Sequence, residues 1–195
     1  FKKMSKLKTL DFLVKFSEEK KKRGKKIILC HGVFDLPHLG HVKHFRAAKE
    51  YGDYLIVSIT EDKHASKGIN RPIYKEEQRA EFLSSFSVVD YVYIDRNPNA
   101  ANLISKIRPN IYAKGEDYNL SRRAFKLGVY QGDITGNIFK EKAIVEKFGG
   151  KLIFTDEESF SSSKNINIAN MSGEMISTLK KIKKKYSFDK IRKII

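Results

Sequence analysis

Apolar positions along this chain follow two alternating rhythms. Short continuous runs at Ile27-Ile28-Leu29-Cys30, Tyr54–Ile59, Val88–Ile94, Asn110–Ala113 and Lys151–Phe154 read as buried strands. Between them the spacing turns helical. Leu7, Leu10, Leu13 and Val14 predict an amphipathic helix over residues 5–22, with Gly24 as its stop. Val42, Phe45 and Ala48 predict a helix over 41–51 with those residues inward, closed at Gly52. Further helices are predicted over 75–86, over 99–107 ahead of Pro109, and over 139–148 ahead of Gly149-Gly150. The polar stretch 61–71 reads as a loop or a short helix, and 116–138, rich in Gly, Asp and Asn, as a long loop. Residues 174–195 read as two basic helices broken near Ser187.

Strands with continuous apolar cores, alternating with helices, predict an α/β fold: a doubly wound five-stranded parallel sheet with helices on both faces. Ligands in such sheets bind beyond the carboxyl ends of the strands. The turn after the first strand, the loop after the second, Lys114–Asp117 after the fourth and Ser161–Ser163 after the fifth all fall on that edge. The domain is expected over 27–167. Residues 1–26 form the helix ahead of it, and 168–195 a basic helical extension or connector.

Charge narrows the partners. The formal net charge is +16 over 195 residues, which alone suggests nucleic acid. Yet residues 1–26 carry +8 and 180–195 carry +7, leaving only +1 over 27–179. A nucleic-acid groove across the domain is therefore not expected; basic flanking helices read as solvated faces. No stretch reaches the roughly 18 apolar residues of a membrane span, so no membrane partner is expected. The start is lysine-rich but lacks an apolar core and cleavage site, so no signal peptide is read. Cys30 is the single cysteine, which excludes a disulfide framework or cysteine metal cluster within the chain. A cytoplasmic location is expected. The chain opens at Phe1 and stops at Ile194-Ile195, as if cut from something longer.

The chemistry concentrates at Gly32–His41, Gly-Val-Phe-Asp-Leu-Pro-His-Leu-Gly-His, directly after the first strand. A strand-to-helix turn aims backbone N–H groups and the positive helix end at an anion. Gly32 permits close approach of the backbone. Phe34 can pack under the turn, Pro37 fixes the chain ahead of His38, and Gly40 leaves room between His38 and His41. Two imidazoles there can add hydrogen-bond donors to a phosphate without a metal. A zinc set of His38, His41 and His44 is the competing arrangement. His44 lies a full turn into the helix, however, and no cysteine or HExxH companion accompanies it.

This segment resembles the HxGH signature of the cytidylyltransferase-like nucleotidyltransferases, a Rossmann-like family. Further segments resemble the family's motifs in order: Asn70-Arg71-Pro72 with Glu77-Gln78-Arg79, Val89-Asp90-Tyr91-Val92, Lys114-Gly115-Glu116-Asp117-Tyr118, and Phe160-Ser161-Ser162-Ser163. The likeness covers 27–167. It is similar to glycerol-3-phosphate cytidylyltransferase and to the nucleotidyltransferase domain of ADP-heptose synthase. The 119–138 insertion fits a subgroup found ahead of a ribokinase-like sugar kinase. Two features depart from the pattern. Glu158-Ser159-Phe160 stands where glycerol-3-phosphate cytidylyltransferases carry Arg-Thr, so a nucleotide-contacting arginine is absent there. Pro37 replaces an apolar residue.

The resemblance implies His38, His41 and Lys67 as catalytic donors, with Lys63 competing for the role of Lys67. It implies nucleotide contacts from Gly32, Val33, Phe34, Gly40, Arg79, Lys114, Gly115, Asp117 and Tyr118, with Arg79 turned toward the phosphates. Ser161, Ser162 and Ser163 precede a predicted helix and can cradle a phosphate, cap the helix, or both. Asp35 either holds the turn through backbone amides, the preferred reading, or approaches magnesium. The implied reaction joins a nucleoside triphosphate, CTP before ATP, to a phosphorylated sugar or polyol and releases pyrophosphate, with Mg²⁺ on the triphosphate. ATP-dependent adenylyl transfer to a sugar 1-phosphate and a nucleotide-binding regulatory module of a sugar kinase are the alternatives. A homodimer is expected, pairing near Tyr74, Phe82 and Phe86, and a fused or partner sugar kinase domain is implied.

Overall fold

The run Ile27–Gly32 is the central strand of a parallel sheet. The structure, a computed structural model, describes residues 6–65, 71–115 and 137–155. In chain order the elements are α1 (Leu10–Lys22), β1 (Ile27–Gly32), α2 (Leu39–Lys49), β2 (Tyr54–Thr60), α3 (Glu76–Ser84), β3 (Tyr91–Asp95), α4 (Ala101–Ile107), β4 (Ile111–Gly115), α5 (Asn137–Lys147) and β5 (Lys151–Thr155). A 3₁₀ turn at Asp62–His64 follows β2. The sheet order is β3-β2-β1-β4-β5 with every pair parallel. That is the doubly wound arrangement the alternating pattern predicts.

Alternate side chains of the strands build the two cores. Ile28, Cys30, Leu55 and Val57 pack with Phe45 and Ala48 of α2 and Ala80 and Leu83 of α3. Ile27, Leu29, Ile56 and Tyr112 face the other way. They meet Leu13 of α1, Leu103 and Ile107 of α4, and Val145 of α5. A side chain of this kind, fully removed from water, contributes roughly 1.5–3 kcal/mol.

Where boundaries differ from the spacing, the reasons are local. The first helix begins at Leu10 rather than residue 5, because Thr9 caps it by accepting the Phe12 N–H at 3.3 Å. The residues ahead of it pair with the edge strand instead: Lys8 N–H donates to Val92 O at 3.0 Å and Val92 N–H to Lys6 O at 2.9 Å. Leu7 therefore covers the β3 edge. The helix itself buries Leu13 in the sheet core and so belongs to the domain. The third strand starts at Tyr91, since Val89 N–H closes a turn onto Phe86 O at 3.2 Å. Arg108 adopts left-handed backbone (φ 48°) and ends α4 before Pro109. Lys21 reinforces that end, donating to the carbonyls of Ile107 at 2.9 Å and Arg108 at 3.1 Å. The extension over 168–195 and the insertion up to residue 136 lie outside the described residues.

The order reverses at β1. The chain leaves β1 for β2 and β3 on one side and returns to β4 on the other. Residues beyond the ends of β1 and β4 therefore line the crevice where such sheets take ligands.

Candidate active site

Gly32 ends β1 and the turn folds tightly over it. Phe34 takes left-handed backbone (φ 49°) and lays its ring back on Gly32; a Cβ there would meet the ring at 3.1 Å. The same ring contacts His41 edge-on at 5.3 Å and Phe45 at 5.4 Å between centroids. A bulky residue at positive φ is costly, and burial of the ring in this cluster offsets the cost. The expectation that Phe34 packs under the turn thus has a geometry.

His38 is the N-cap of α2, so the helix opens two residues earlier than its apolar spacing indicates. Its Nδ1 accepts the Gly40 N–H at 3.2 Å, while His41 Nδ1 accepts the His38 N–H at 3.1 Å. This is a capping box built from two histidines. Because both Nδ1 atoms accept, each neutral ring carries its proton on Nε2. The half-buried rings lie 4.0 Å apart between centroids. The site thus holds two adjacent imidazoles in one tautomer, each with Nε2–H as its ring donor.

The turn is pinned from the side by Asp35. Its Oδ1 accepts the N–H groups of Ile73 at 2.7 Å and Tyr74 at 3.1 Å, and its Oδ2 pairs with Arg71 Nε. Both partners are buried. The preferred reading of Asp35 was backbone amides, and the amides are those of the Arg-Pro segment rather than of its own turn. Both carboxylate oxygens are thus bonded to that segment. Arg79 corrects an expectation as well. It is fully buried and donates to the carbonyls of Val33 at 2.5 Å, Thr60 at 2.9 Å and Tyr74 at 3.0 Å, and to Asp62 Oδ1 at 2.5 Å. Its guanidinium ties the turn to the end of β2 instead of turning toward phosphates.

A family model for cytidylyltransferase-like proteins matches residues 29–167. The chain belongs to the cytidylyltransferase-like family. Among curated relatives, it is 40% identical over 116 residues to Bifunctional protein HldE of Geobacter metallireducens, covering 58% of this chain and 24% of that protein. It is 33% identical over 150 residues to Bifunctional protein HldE of Geobacter sulfurreducens, covering 76% and 27%. The chain thus spans about a quarter of the length of these relatives. Two solved structures share its fold. The lipopolysaccharide core biosynthesis protein of Thermoplasma volcanium GSS1 has a TM-score of 0.54 at 23% identity, covering 70% of this chain and 100% of that one. Pantoate-beta-alanine ligase of Francisella tularensis has a TM-score of 0.52 at 16% identity, covering 90% and 77%.

Within this cytidylyltransferase-like domain, a buried polar layer underlies the histidines. His44 is removed from the mouth: its Nδ1 lies 2.6 Å from Thr155 Oγ1 at the end of β5. Burial, with the Lys114 charge second, lowers its pKa to about 4. It does not join His38 and His41, and among the described residues no group of three His, Cys, Asp or Glu side chains comes together to hold a metal. His31 sits between Ser58 Oγ at 3.0 Å and Thr60 Oγ1 at 3.3 Å, and the same two causes lower its pKa to about 3. Lys114, expected as a nucleotide contact, is buried; its Nζ donates to His31 O at 3.2 Å and lies 3.6 Å from Glu141 Oε2.

The structure therefore brings Gly32, Val33, Phe34, Asp35, His38, Gly40, His41 and Arg79 together around one turn. Gly115 ends β4 in register with Thr155. Lys63 is an exposed partner of Glu61 at 2.7 Å. Lys67, Asp117, Tyr118, Ser161, Ser162 and Ser163 lie outside the described residues. Sequence reasoning missed His31, Glu141 and Thr155. Period-two alternation could have found His31 and Thr155, which sit at strand ends; Glu141 reads as one more charge on a basic helix.

Proposed function

We infer that this domain catalyses nucleotidyl transfer from a magnesium-bound nucleoside triphosphate to a phosphorylated sugar or polyol. The acceptor phosphate oxygen attacks the α-phosphorus, the bond from that phosphorus to the β-phosphate oxygen breaks, and pyrophosphate leaves. The acceptor is already an anion near neutral pH, so no strong base is required. The work left to the protein is positioning and stabilising charge.

The observation that carries this reading is the histidine capping box. It fixes both rings with Nε2–H as donor, at the positive end of a helix and beside a glycine turn. Neutral donors suit charge that builds on the α-phosphate and the departing pyrophosphate, because they need no reorganisation as it builds. Asp35 and Arg79 hold the turn so that its amides stay in place. Mg²⁺ enters with the triphosphate as part of the substrate.

CTP is the first reading for the nucleotide. ATP is the second, favoured by Glu158-Ser159-Phe160, which lacks the arginine found there in glycerol-3-phosphate cytidylyltransferases. A homodimer through the Tyr74 and Phe82 face and a sugar kinase as fused or partner domain complete the proposal. Residues 168–195 would then be the connector. Removal of 172–195 should spare pyrophosphate release; loss of nucleotide binding would place that segment in the core instead.

The deciding experiment is a thermal-shift screen of CTP, ATP, GTP and UTP with Mg²⁺, followed by pyrophosphate release with sugar phosphates. A ligand at 100 times its Kd adds about 2.7 kcal/mol of stability. The expected result is one preferred nucleotide and acceptor-dependent pyrophosphate release. Nucleotide binding with no release against any sugar or polyol phosphate would instead make the domain a binding module.

A further inference from the structure

The ladder between β1 and β2 runs through to Gly32↔Ile59, but that between β1 and β4 stops at Cys30↔Ala113. On the β4 side the next carbonyl, that of His31, is taken by a side chain: Lys114 Nζ donates to it at 3.2 Å. This bond sits one residue below Gly32, where the two strands part to open the crevice. The ammonium that makes it is buried and needs a counter-charge. Glu141 of α5, also buried, supplies one at 3.6 Å through Oε2. The same carboxylate accepts the Tyr112 hydroxyl at 2.8 Å and, through Oε1, the Ala100 N–H at 3.0 Å. Ala100 is the N-cap of α4, and its N–H, one of the donors a helix start leaves without an intrahelical acceptor, is satisfied by Glu141 from another helix.

We propose that Glu141 and Lys114 are positioning residues that set the separation of β1 and β4 and, through the His31 carbonyl, the place of the glycine turn. The inference rests on the nucleotidyl-transfer reading. Lys114 stands in for a ladder bond at the point where the sheet must open. Glu141 pairs with its ammonium and braces it against β4 and the start of α4. A turn displaced by a fraction of an ångström misaligns the backbone amides and histidines together. The consequence falls on the chemical step rather than on nucleotide affinity.

The test uses the full chain and two substitutions, alone and combined. In Glu141→Gln the amide oxygen still accepts Ala100 N–H while the charge is lost. Lys114→Met keeps the volume and removes the donor. The double variant contains neither buried charge, so it should regain most of the thermal stability lost in either single variant. Its kcat should nevertheless stay about 10- to 100-fold below wild type, with KM for the nucleotide changed by less than about threefold. Without nucleotide, its Gly32 and Val33 amide resonances should shift. Wild-type turnover in the double variant would overturn the proposal, as would a raised KM with unchanged kcat in Lys114→Met. Unshifted Gly32 and Val33 resonances would overturn it whatever the wild-type chain does with nucleotides. Absence of wild-type turnover beside shifted resonances would instead count against the nucleotidyl-transfer reading alone.

Discussion

The ring of His41 accepts the backbone N–H of His38 through Nδ1 at 3.1 Å, so the second histidine of the pair fixes the chain position of the first. His38 returns the favour one step on, accepting from Gly40 N–H at 3.2 Å. The prediction is that both neutral rings are Nε2–H tautomers. Nitrogen-15 NMR of the imidazoles near pH 8 checks this, and a dominant Nδ1–H form at either residue would contradict it.

Asp35 joins the glycine turn to the Arg-Pro segment through two amides and an ion pair with Arg71, the two charged side chains being buried. Removing one partner of a buried pair typically costs about 3–5 kcal/mol, because the remaining charge stays in the interior. Asp35→Ala should lose about that much in denaturant unfolding and lower turnover with it. Asp35→Asn keeps an acceptor for the amides and should lose less. Equal and small losses in both would show that the link carries little.

Two buried histidines predict an acid-side weakness. The pKa of His31 is lowered to about 3 and that of His44 to about 4, mainly by burial. An unfolded histidine titrates near 6.5, so below that pH the unfolded chain binds protons that the folded chain refuses. The stability contributed by the neutral rings is therefore complete above pH 6.5 and lost as pH falls toward 4 and below, by up to about 1.4 kcal/mol per pH unit for each group. His44→Asn, which can still bond Thr155, should flatten the curve between pH 6.5 and 5. Parallel wild-type and variant curves in that window would contradict the assignment.

Much of this fold was legible in the chain because the inner strands are buried almost without interruption and the edge strands, though less buried, keep apolar runs. Continuous apolar runs fixed five strands, and the short helices between them fixed the parallel order. The site was legible as a motif and less so as a geometry. Gly32–His41 announces an anion-binding turn, since glycine, proline and two histidines combine at a strand-to-helix junction. What Arg79 does could not be read, because a helix arginine looks the same in sequence whether it faces phosphate or three backbone carbonyls. Lys114 hid its inward course for the same reason, and its partner Glu141 lies 27 positions further along the chain. Local spacing carries no information about such long-range polar pairs. Leu7 also deceived: it has helical spacing with Leu10, yet edge pairing to Val92 competes for it and wins.

Tyr74 and Phe82 are 45% and 47% exposed, and Ile73 beside them is 46% exposed, whereas Phe86, expected in the same face, packs on the core. A second copy of the chain is the proposed cover for this patch. Light scattering should give twice 22.5 kDa for wild type. Phe82→Ser with Tyr74→Ser should shift the population to monomer. A monomeric wild type at high concentration would remove the dimer from the account.

The central claim is that the histidine capping box is a transfer site and more than a way to start a helix. The most direct measurement is kcat for pyrophosphate release by His41→Ala, using the nucleotide and acceptor that the wild-type chain prefers, with folding verified by its melting curve. Loss of one preorganised donor typically costs ~10²–10³ in rate. The account predicts a folded variant that still binds nucleotide and releases pyrophosphate at least ~10²-fold more slowly. A folded His41→Ala variant turning over near the wild-type rate would contradict it.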